Sequence, residues 1–457
     1  MFEDERMKII IAGDGKVGQT LARLLSDEGY DLTLVDTKQN VLETSQEQYD
    51  VMVVHGNCAT MDILKQAGVS EADLLIAATG EDEINLLCCM TAHFMNENLH
   101  TIARIRNPEY ADQIYAMRRN FALSMMINPE KQAAEEIERM LKYPVSLKRE
   151  TFPRGRMEII ELKIDARSKL KNITLTDLNS VVKCKVLVCI VIRDGEMIAP
   201  AGDFVLQEGD CIYVTAPTDN LTHLLKNLDI ITHKIKNVML CGGGRVSYYL
   251  ASRLLNTGIK VHIIEKDEKR CEELAKILPK ADIIFGDATD RDLLDGEGLV
   301  NCDALVTLTG MDEVNMVVSM YGYNCGVNQV ITKLSHEGNS TLLDSLSLGG
   351  LICPKDLCSN TIVQYVHALD HQTGTALAVH SFAGGKADAM EFMVNDQTRF
   401  CHTPLRDIRI KKNTLLVGIK HGPLTEIPNG DSMYEKGDIL LVVSGADEIE
   451  RLNDIFE

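Results

Sequence analysis

The chain states one architecture twice. Residues 8–18 (KIIIAGDGKVG) match residues 237–247 (NVMLCGGGRVS), which sets Gly13 on Gly242 and Gly15 on Gly244, an offset of 229 (242 − 13). Residues 79–85 (TGEDEIN) match residues 309–315 (TGMDEVN) at an offset of 230 (309 − 79). Two stretches this far apart in register mark a duplicated unit. Each half must therefore fold by the same rules, and what one half is built to bind the other is built on the same plan to bind.

Within each half, short apolar runs alternate with stretches of helical spacing. Residues 8–12, 31–35, 51–54, 74–78 and 101–105 read as strands, and residues 19–27, 61–68 and 85–95 as helices. The second half repeats the series with strands at 238–241, 261–264, 283–285, 304–307 and 330–333. Strands that are apolar on both faces belong to a parallel sheet covered on both sides. The expected fold class is α/β: two Rossmann-like doubly wound domains, each followed by a smaller β-rich α+β domain. Domains are expected at 7–142, 145–228, 235–370 and 373–457, with linkers near Tyr143-Pro144, near 231–233 and at 371–374. In the small segments, Gly202-Asp203 with Gly430-Asp431 and Gly209-Asp210 with Gly437-Asp438 read as hairpin turns. Each small segment is expected to close on a strand and an amphipathic helix.

Bulk properties narrow the function. A formal net charge of −20 repels nucleic-acid backbones and anionic lipid. The apolar run 186–192 is far shorter than the roughly 20 residues that span a bilayer. The acidic start, MFEDERMKIII, is unlike a secretory signal. The expectation is a soluble cytoplasmic protein with no direct membrane insertion, whose membrane role comes through a partner. The 13 cysteines include no CxxC and read as small buried hydrophobes. Cys353, Cys358, His367 and His371 match no common zinc spacing.

The chemistry gathers at strand ends. Gly13-x-Gly15-x-x-Gly18 lies where a strand turns into a helix. The first glycine allows the turn, the second lets a phosphate approach the backbone, and the third lets helix and strand pack closely. The helix N-terminus then offers unpaired N–H groups to a diphosphate. Asp36 stands 18 residues past Gly18 (36 − 18), where a carboxylate accepts from ribose hydroxyls and repels a 2′-phosphate. The second copy reads Gly242-x-Gly244-x-x-Ser247 with Glu265 as the acid. Ser247 is expected to add bulk between helix and strand.

Thr79 and Thr309 end the fourth strands, placed either to touch a ribose or nicotinamide or to cap the next helix. Arg104 and Lys333 are cations in apolar strands, held either for a phosphate or in an ion pair. Asn57 and Asp287 follow the third strands, near the adenine or ribose edge. No GxSxG, HExxH or Walker pattern occurs, and no ionisable pair repeats as a catalytic pair. An NAD-dependent oxidoreductase with duplicated cofactor domains is the competing class. A thiol redox role for Cys58 or Cys88-Cys89 finds no support in the sequence, since adjacent helix cysteines ordinarily pack.

The whole chain resembles the TrkA family, cytoplasmic regulatory proteins of Trk potassium uptake systems. The carriers are residues 11–18 (IAGDGKVG), 34–36 (LVD), 75–80, 103–105 (ARI) and 285–290 (FGDATD). The resemblance implies RCK N-terminal and RCK C-terminal domains in tandem. It implies binding of NAD or NADH, ATP and ADP as competitors, and no catalysis. It also implies a homo-oligomeric gating ring beneath a Trk-type integral membrane potassium channel or transporter subunit. By position, it assigns the first site to Gly13, Asp14, Gly15, Lys16, Val17, Asp36, Asn57, Cys58, Thr79 and Arg104. The second site takes Gly242, Gly243, Gly244, Arg245, Val246, Glu265, Asp287, Ala288, Thr309 and Lys333.

Overall fold

A computed structural model describes residues 6–142, 149–152, 157–230, 235–335, 346, 348–369, 376–382, 386–422, 424–445, 449 and 451–457. The expected linkers at 143–144, 231–233 and 371–374, and His371, lie outside these residues.

The first large sheet holds β1 (Lys8–Ala12), β2 (Asp31–Asp36), β3 (Met52–His55), β4 (Leu74–Ala77), β5 (His100–Arg104) and β6 (Met125–Ile127). All pairs are parallel, in the order β3-β2-β1-β4-β5-β6. The second large sheet is its copy, in the order 282–285, 260–265, 237–241, 304–307, 329–333, 350–352. The central strands are buried on both faces, β4 along its whole length, because helices cover both sides. Chain order reverses between β1 and β4, so the carboxyl ends of these two strands open a crevice, the ordinary ligand position in such sheets. The sixth strands, absent from the sequence expectation, are three residues long and lie at the sheet edge.

The helices that frame the first crevice are α1 (Lys16–Asp27), α2 (Gln39–Gln48), α3 (Met61–Gln66) and α4 (Asp82–Met95). They are followed by α5 (Pro108–Ala116) and α6 (Pro129–Leu141).

Like domains pair with like. One compact unit joins residues 1–142 with 235–363, and the other joins 143–234 with 364–457. Inside the first unit α6 leaves its own sheet. It buries Ala133, Ala134, Ile137 and Leu141 in one cluster with Val246, Leu250 and Leu254 of helix Arg245–Asn256. Each of the larger side chains, Ile137, Leu141, Val246, Leu250 and Leu254, contributes about 1.5–3 kcal/mol when fully buried. At the rim Arg253 Nε donates to Glu138 Oε2 at 2.5 Å. Burial works against the Glu138 charge, yet the bonds from Arg253 and Lys142 outweigh it and hold the carboxyl below its ordinary value.

The second unit contains two five-stranded sheets, in the orders 196–198, 187–193, 211–217, 157–163, 149–152 and 378–382, 387–393, 439–445, 414–421, 424–426. Their cores merge: Phe382, Val417 and Leu441 share a cluster with Ile159, Val191 and Val214. A tight hairpin turn, Asp194-Gly195 with φ of 51° and 81°, joins 187–193 to 196–198. Gly202-Asp203, Gly209-Asp210, Gly430-Asp431 and Gly437-Asp438 correct the expectation, since the strands they separate, 196–198 from 211–217 and 424–426 from 439–445, are not neighbours in their sheets. The second small domain also ends differently from the first. Helix Thr218–Asn227 has no α-helical counterpart among the described residues; the chain closes on a 3-10 turn, Leu452–Ile455.

Candidate functional site

Gly13 leaves β1 with φ of +101°, a backbone open to glycine, and its N–H donates to Val35 O at 2.7 Å. A side chain here would also meet the Ala78 carbonyl carbon at 2.8 Å. At Gly18 an added Cβ would overlap the Gly13 carbonyl oxygen, so α1 lies directly on the turn. An added Cβ at Gly15 meets nothing within 4 Å, and no side chain caps α1. The helix mouth is thus open and its first N–H groups are free to meet an anion. Lys16 is exposed beside it, and Val17 is buried beneath.

The acid at the end of β2 is held from two sides. Asp36 Oδ2 accepts from Asp14 N at 2.8 Å, and Oδ1 accepts from Lys38 N at 2.9 Å. The second half repeats this: Glu265 Oε2 accepts from Gly243 N at 2.5 Å, and Oε1 from Asp267 N at 2.9 Å. Each carboxylate oxygen keeps a lone pair for a further donor. Around the second acid lies a cavity of about 380 Å³, lined among others by Gly244, Glu265, Asp287, Ala288 and Thr309. That volume is in the range of small-molecule sites. Arg245 and Val246 begin the helix at its edge.

The crevices differ where the two repeats differ. Asp14 is 1% exposed and its carboxylate accepts from Ser45 Oγ of α2 at 2.7 Å, so its side chain faces the fold rather than the opening. Burial, then the Asp36 charge, push the Asp14 carboxyl above its ordinary value, against the Ser45 bond. In the second half this space is closed by Leu274, which a Cβ on Gly243 would strike, while Arg270 Nε donates to Gly243 O at 2.8 Å. Ser247 corrects the expectation of mere bulk. It is fully buried, and its hydroxyl donates to the Gly242 carbonyl, the atom whose counterpart excludes a Cβ at Gly18.

At the far side of each crevice one asparagine ties two strand ends together. Asn85 Oδ1 accepts from Thr79 N at 2.8 Å and Thr79 Oγ1 at 2.7 Å, and its Nδ2 donates to Arg104 O at 2.8 Å. Asn315 makes the same bonds to Thr309 and Lys333. The helix caps are Glu81 and Met311, without side-chain cap bonds, so the threonines are not N-caps. Arg104 donates to Thr79 O, and Lys333 Nζ reaches Leu308 O at 3.4 Å. Among the described residues neither cation has a carboxylate within ion-pair distance; their partners are backbone carbonyls. Burial lowers both from their ordinary values. Asn57 and Asp287 are exposed, and each accepts from the backbone two residues on, Ala59 N at 3.0 Å and Thr289 N at 2.9 Å. Cys58 is 4% exposed.

Two functional positions escaped the sequence reading. Asn85 with Asn315, and Asp82 with Asp312, sit inside the very repeat TGxDExN that revealed the duplication. Asp82 Oδ2 accepts from Arg106 N and Asn107 N, each at 2.8 Å, and Asp312 Oδ2 from Ser335 N at 2.8 Å. Among the described residues no group of three or more metal-type ligands occurs, and no helix is long and apolar enough to cross a membrane.

The fold and these crevices define a class: tandem α/β domains of the dinucleotide-binding type, each followed by a small antiparallel domain. Comparison with known families narrows it. The TrkA-N domain matches residues 9–128 and 238–354, and the TrkA-C domain matches residues 159–229 and 389–457. The chain belongs to the TrkA family. The Trk system potassium uptake protein TrkA homolog 1 of Methanosarcina mazei is 30% identical over 456 residues, covering 97% of this chain and 99% of that protein. The Trk system potassium uptake protein TrkA of Haemophilus influenzae is 28% identical over 461 residues, covering 99% of each. Among solved structures, the GsuK channel bound to NAD shares the fold, with a TM-score of 0.61 at 16% identity over 98% of this chain and 78% of that one.

Proposed function

We propose that this chain is a non-catalytic regulatory subunit of a Trk-type potassium uptake system, controlled by NAD or NADH bound in its two crevices. ATP and ADP compete for the same openings. The observation that carries the reading is the repeated arrangement of an uncapped helix mouth facing an acid held by two backbone N–H groups. The residues fit the dinucleotide. Gly15 and Gly244 leave room for the diphosphate, Asp36 and Glu265 stand at the ribose, and Thr79 and Thr309 stand toward the far end. Tandem matches over the four segments support the division at 7–142, 145–228, 235–370 and 373–457.

Bound nucleotide biases the arrangement of the paired large domains, and a membrane partner reads that bias. Such coupling is typically about 1–3 kcal/mol. The chain acts at the cytoplasmic face through that partner, as a homo-oligomeric ring. Support for self-assembly comes from α4, whose outward positions Leu87, Met90 and Phe94 are exposed and apolar. Val317 and Met320 repeat them on helix Asp312–Asn324. The spacing of three and four from Leu87 to Phe94 is that of a helix-pairing seam. The oxidoreductase reading has no catalytic group repeated at the crevices to favour it.

Calorimetry with NADH, NAD, ATP and ADP on wild type, Asp36→Ala and Glu265→Ala tests the proposal. Each substitution is expected to weaken one class of site and spare the other. Wild-type protein that takes up none of the four nucleotides would overturn it.

A further inference from the structure

One phenol bridges the two halves of the first compact unit. Tyr249 lies on helix Arg245–Asn256, four residues past Arg245 (249 − 245), one turn in from the mouth of the second crevice. Its hydroxyl donates to the Arg106 carbonyl at 3.2 Å and accepts from Asn128 Nδ2 at 3.1 Å. The Arg106 carbonyl and the Asn107 N–H belong to one peptide unit. That N–H donates to Asp82 Oδ2 at 2.8 Å, so the unit is held by the second half on one side and by α4 on the other. The Arg106 guanidinium also donates to Gly80 O. Residues 80–82 follow Thr79 at the far side of the first crevice. Tyr249 thus ties the helix at the second mouth to the rim of the first.

The mirror positions carry other chemistry. Thr20 holds the matching place on α1 (249 − 229), and its hydroxyl donates within its own helix, to Lys16 O at 2.9 Å. Cys353 stands before Pro354 where Asn128 stands before Pro129, and it has no amide to offer. We infer that Tyr249 is a positioning residue that passes ligand binding in the second crevice to the rim of the first. The inference deepens the nucleotide reading above and rests on it.

Helix Arg245–Asn256 starts without a side-chain cap, so its first turn is the end that opens most readily. A diphosphate on those N–H groups closes that turn and steadies the helix from which Tyr249 projects. The 106–107 peptide then keeps both of its partners, and each bond polarises the other. Gly80 and Asp82 are held with it. On the other side of the phenol, Asn128 caps α6 by accepting from Lys131 N at 2.8 Å. Since α6 packs against the second half, ordering at Tyr249 reaches the element that joins the two large domains. Ligand in one crevice therefore lowers the entropy still to be lost at the rim of the other.

Hydrogen–deuterium exchange on the full chain tests this. Asp36→Ala weakens the first crevice, so that NADH acts at the second. In that chain NADH is expected to slow exchange at 242–247 and, roughly fivefold, at 104–110. Tyr249→Phe added to it keeps the ring and its edge contact with Tyr248 but loses the hydroxyl. NADH uptake and the slowing at 242–247 should then persist, while the slowing at 104–110 disappears. Asn128→Asp keeps an acceptor for the α6 cap and draws the Tyr249 hydroxyl away from Arg106, so it should abolish the same slowing. Slowing at 104–110 that survives Tyr249→Phe, even over faster exchange throughout, makes Tyr249 a structural contact alone and overturns the inference. So does an Asp36→Ala chain that takes up NADH with no slowing there, or one that takes up none while wild type does. In all three cases the nucleotide reading stands. No uptake by wild type either would sink that reading, and this inference with it.

Discussion

Asn85 grips Thr79 twice, through the threonine N–H at 2.8 Å and its hydroxyl at 2.7 Å, while its own amide reaches Arg104 O. One buried side chain thus sets the spacing of the β4 and β5 ends, and Asn315 repeats the device. Truncating it strands groups that water cannot reach. Asn85→Ala is expected to destabilise the chain by about 1–3 kcal/mol for each buried group left unpaired. Urea unfolding measures this. Asn85→Asp keeps the acceptor but loses the amide donor, and should cost less than alanine; equal losses would mean that the Thr79 contacts are idle.

Gly18 and Ser247 occupy the same place in the repeat under opposite rules. Overlap with the Gly13 carbonyl makes Gly18→Ala costly, by about 1–3 kcal/mol as overpacking. In the second half the backbone already accommodates a Cβ and turns the hydroxyl into a bond to Gly242 O. Ser247→Ala is expected to lose about 1 kcal/mol, the ordinary net worth of one hydrogen bond. The two variants, compared by thermal unfolding, should rank in that order. A Gly18→Ala chain as stable as wild type would show that α1 shifts freely over the turn.

The outward stripes of α4 and helix Asp312–Asn324 predict how the assembly breaks. Placing a charge among exposed apolar residues removes their reason to pair. Met90→Asp combined with Val317→Asp is expected to lower the oligomeric state seen by light scattering. NADH uptake should persist, because Val317 is not among the residues lining the second crevice and Met90 lies on the exposed face of α4. An unchanged mass at micromolar concentration would locate the contact surface elsewhere.

How much of this was legible in the sequence depends on whether a feature is local. The Gly13–Gly18 turn, the acid 18 residues on and the alternating strands are set by neighbours along the chain, and the structure has them where the pattern places them. Pairings between distant faces left no such mark. The inner face of α6, with Ala133, Ala134 and Ile137, is an ordinary amphipathic pattern, and nothing in it names helix Arg245–Asn256 as its cover. Asp14 stands inside the glycine motif and reads as part of the opening. Its partner, Ser45, is a plain polar residue in a helix, and only the fold shows the two facing each other. The terminal 3-10 turn escaped for the opposite reason, because the first small domain does carry the helix that the repeat promised for the second.

Asp14 supplies the last prediction, and its sign is unusual for a carboxyl. Its folded value is raised above the ordinary 3.8 by burial, helped by the Asp36 charge. Between the unfolded and the folded value the folded chain binds more protons than the unfolded one, so stability falls as pH rises through that window. The loss is complete once pH exceeds the folded value. Asp14→Asn keeps an acceptor for Ser45 and carries no charge beside Asp36. The variant should therefore gain on wild type as pH climbs from about 3.8, and the gain should level off once Asp14 is ionised in the folded chain. Urea unfolding at a series of pH values reads the difference directly. A difference that stays flat across the series would mean that Asp14 is charged in the fold at its ordinary value, and that its buried oxygen meets water or a cation there.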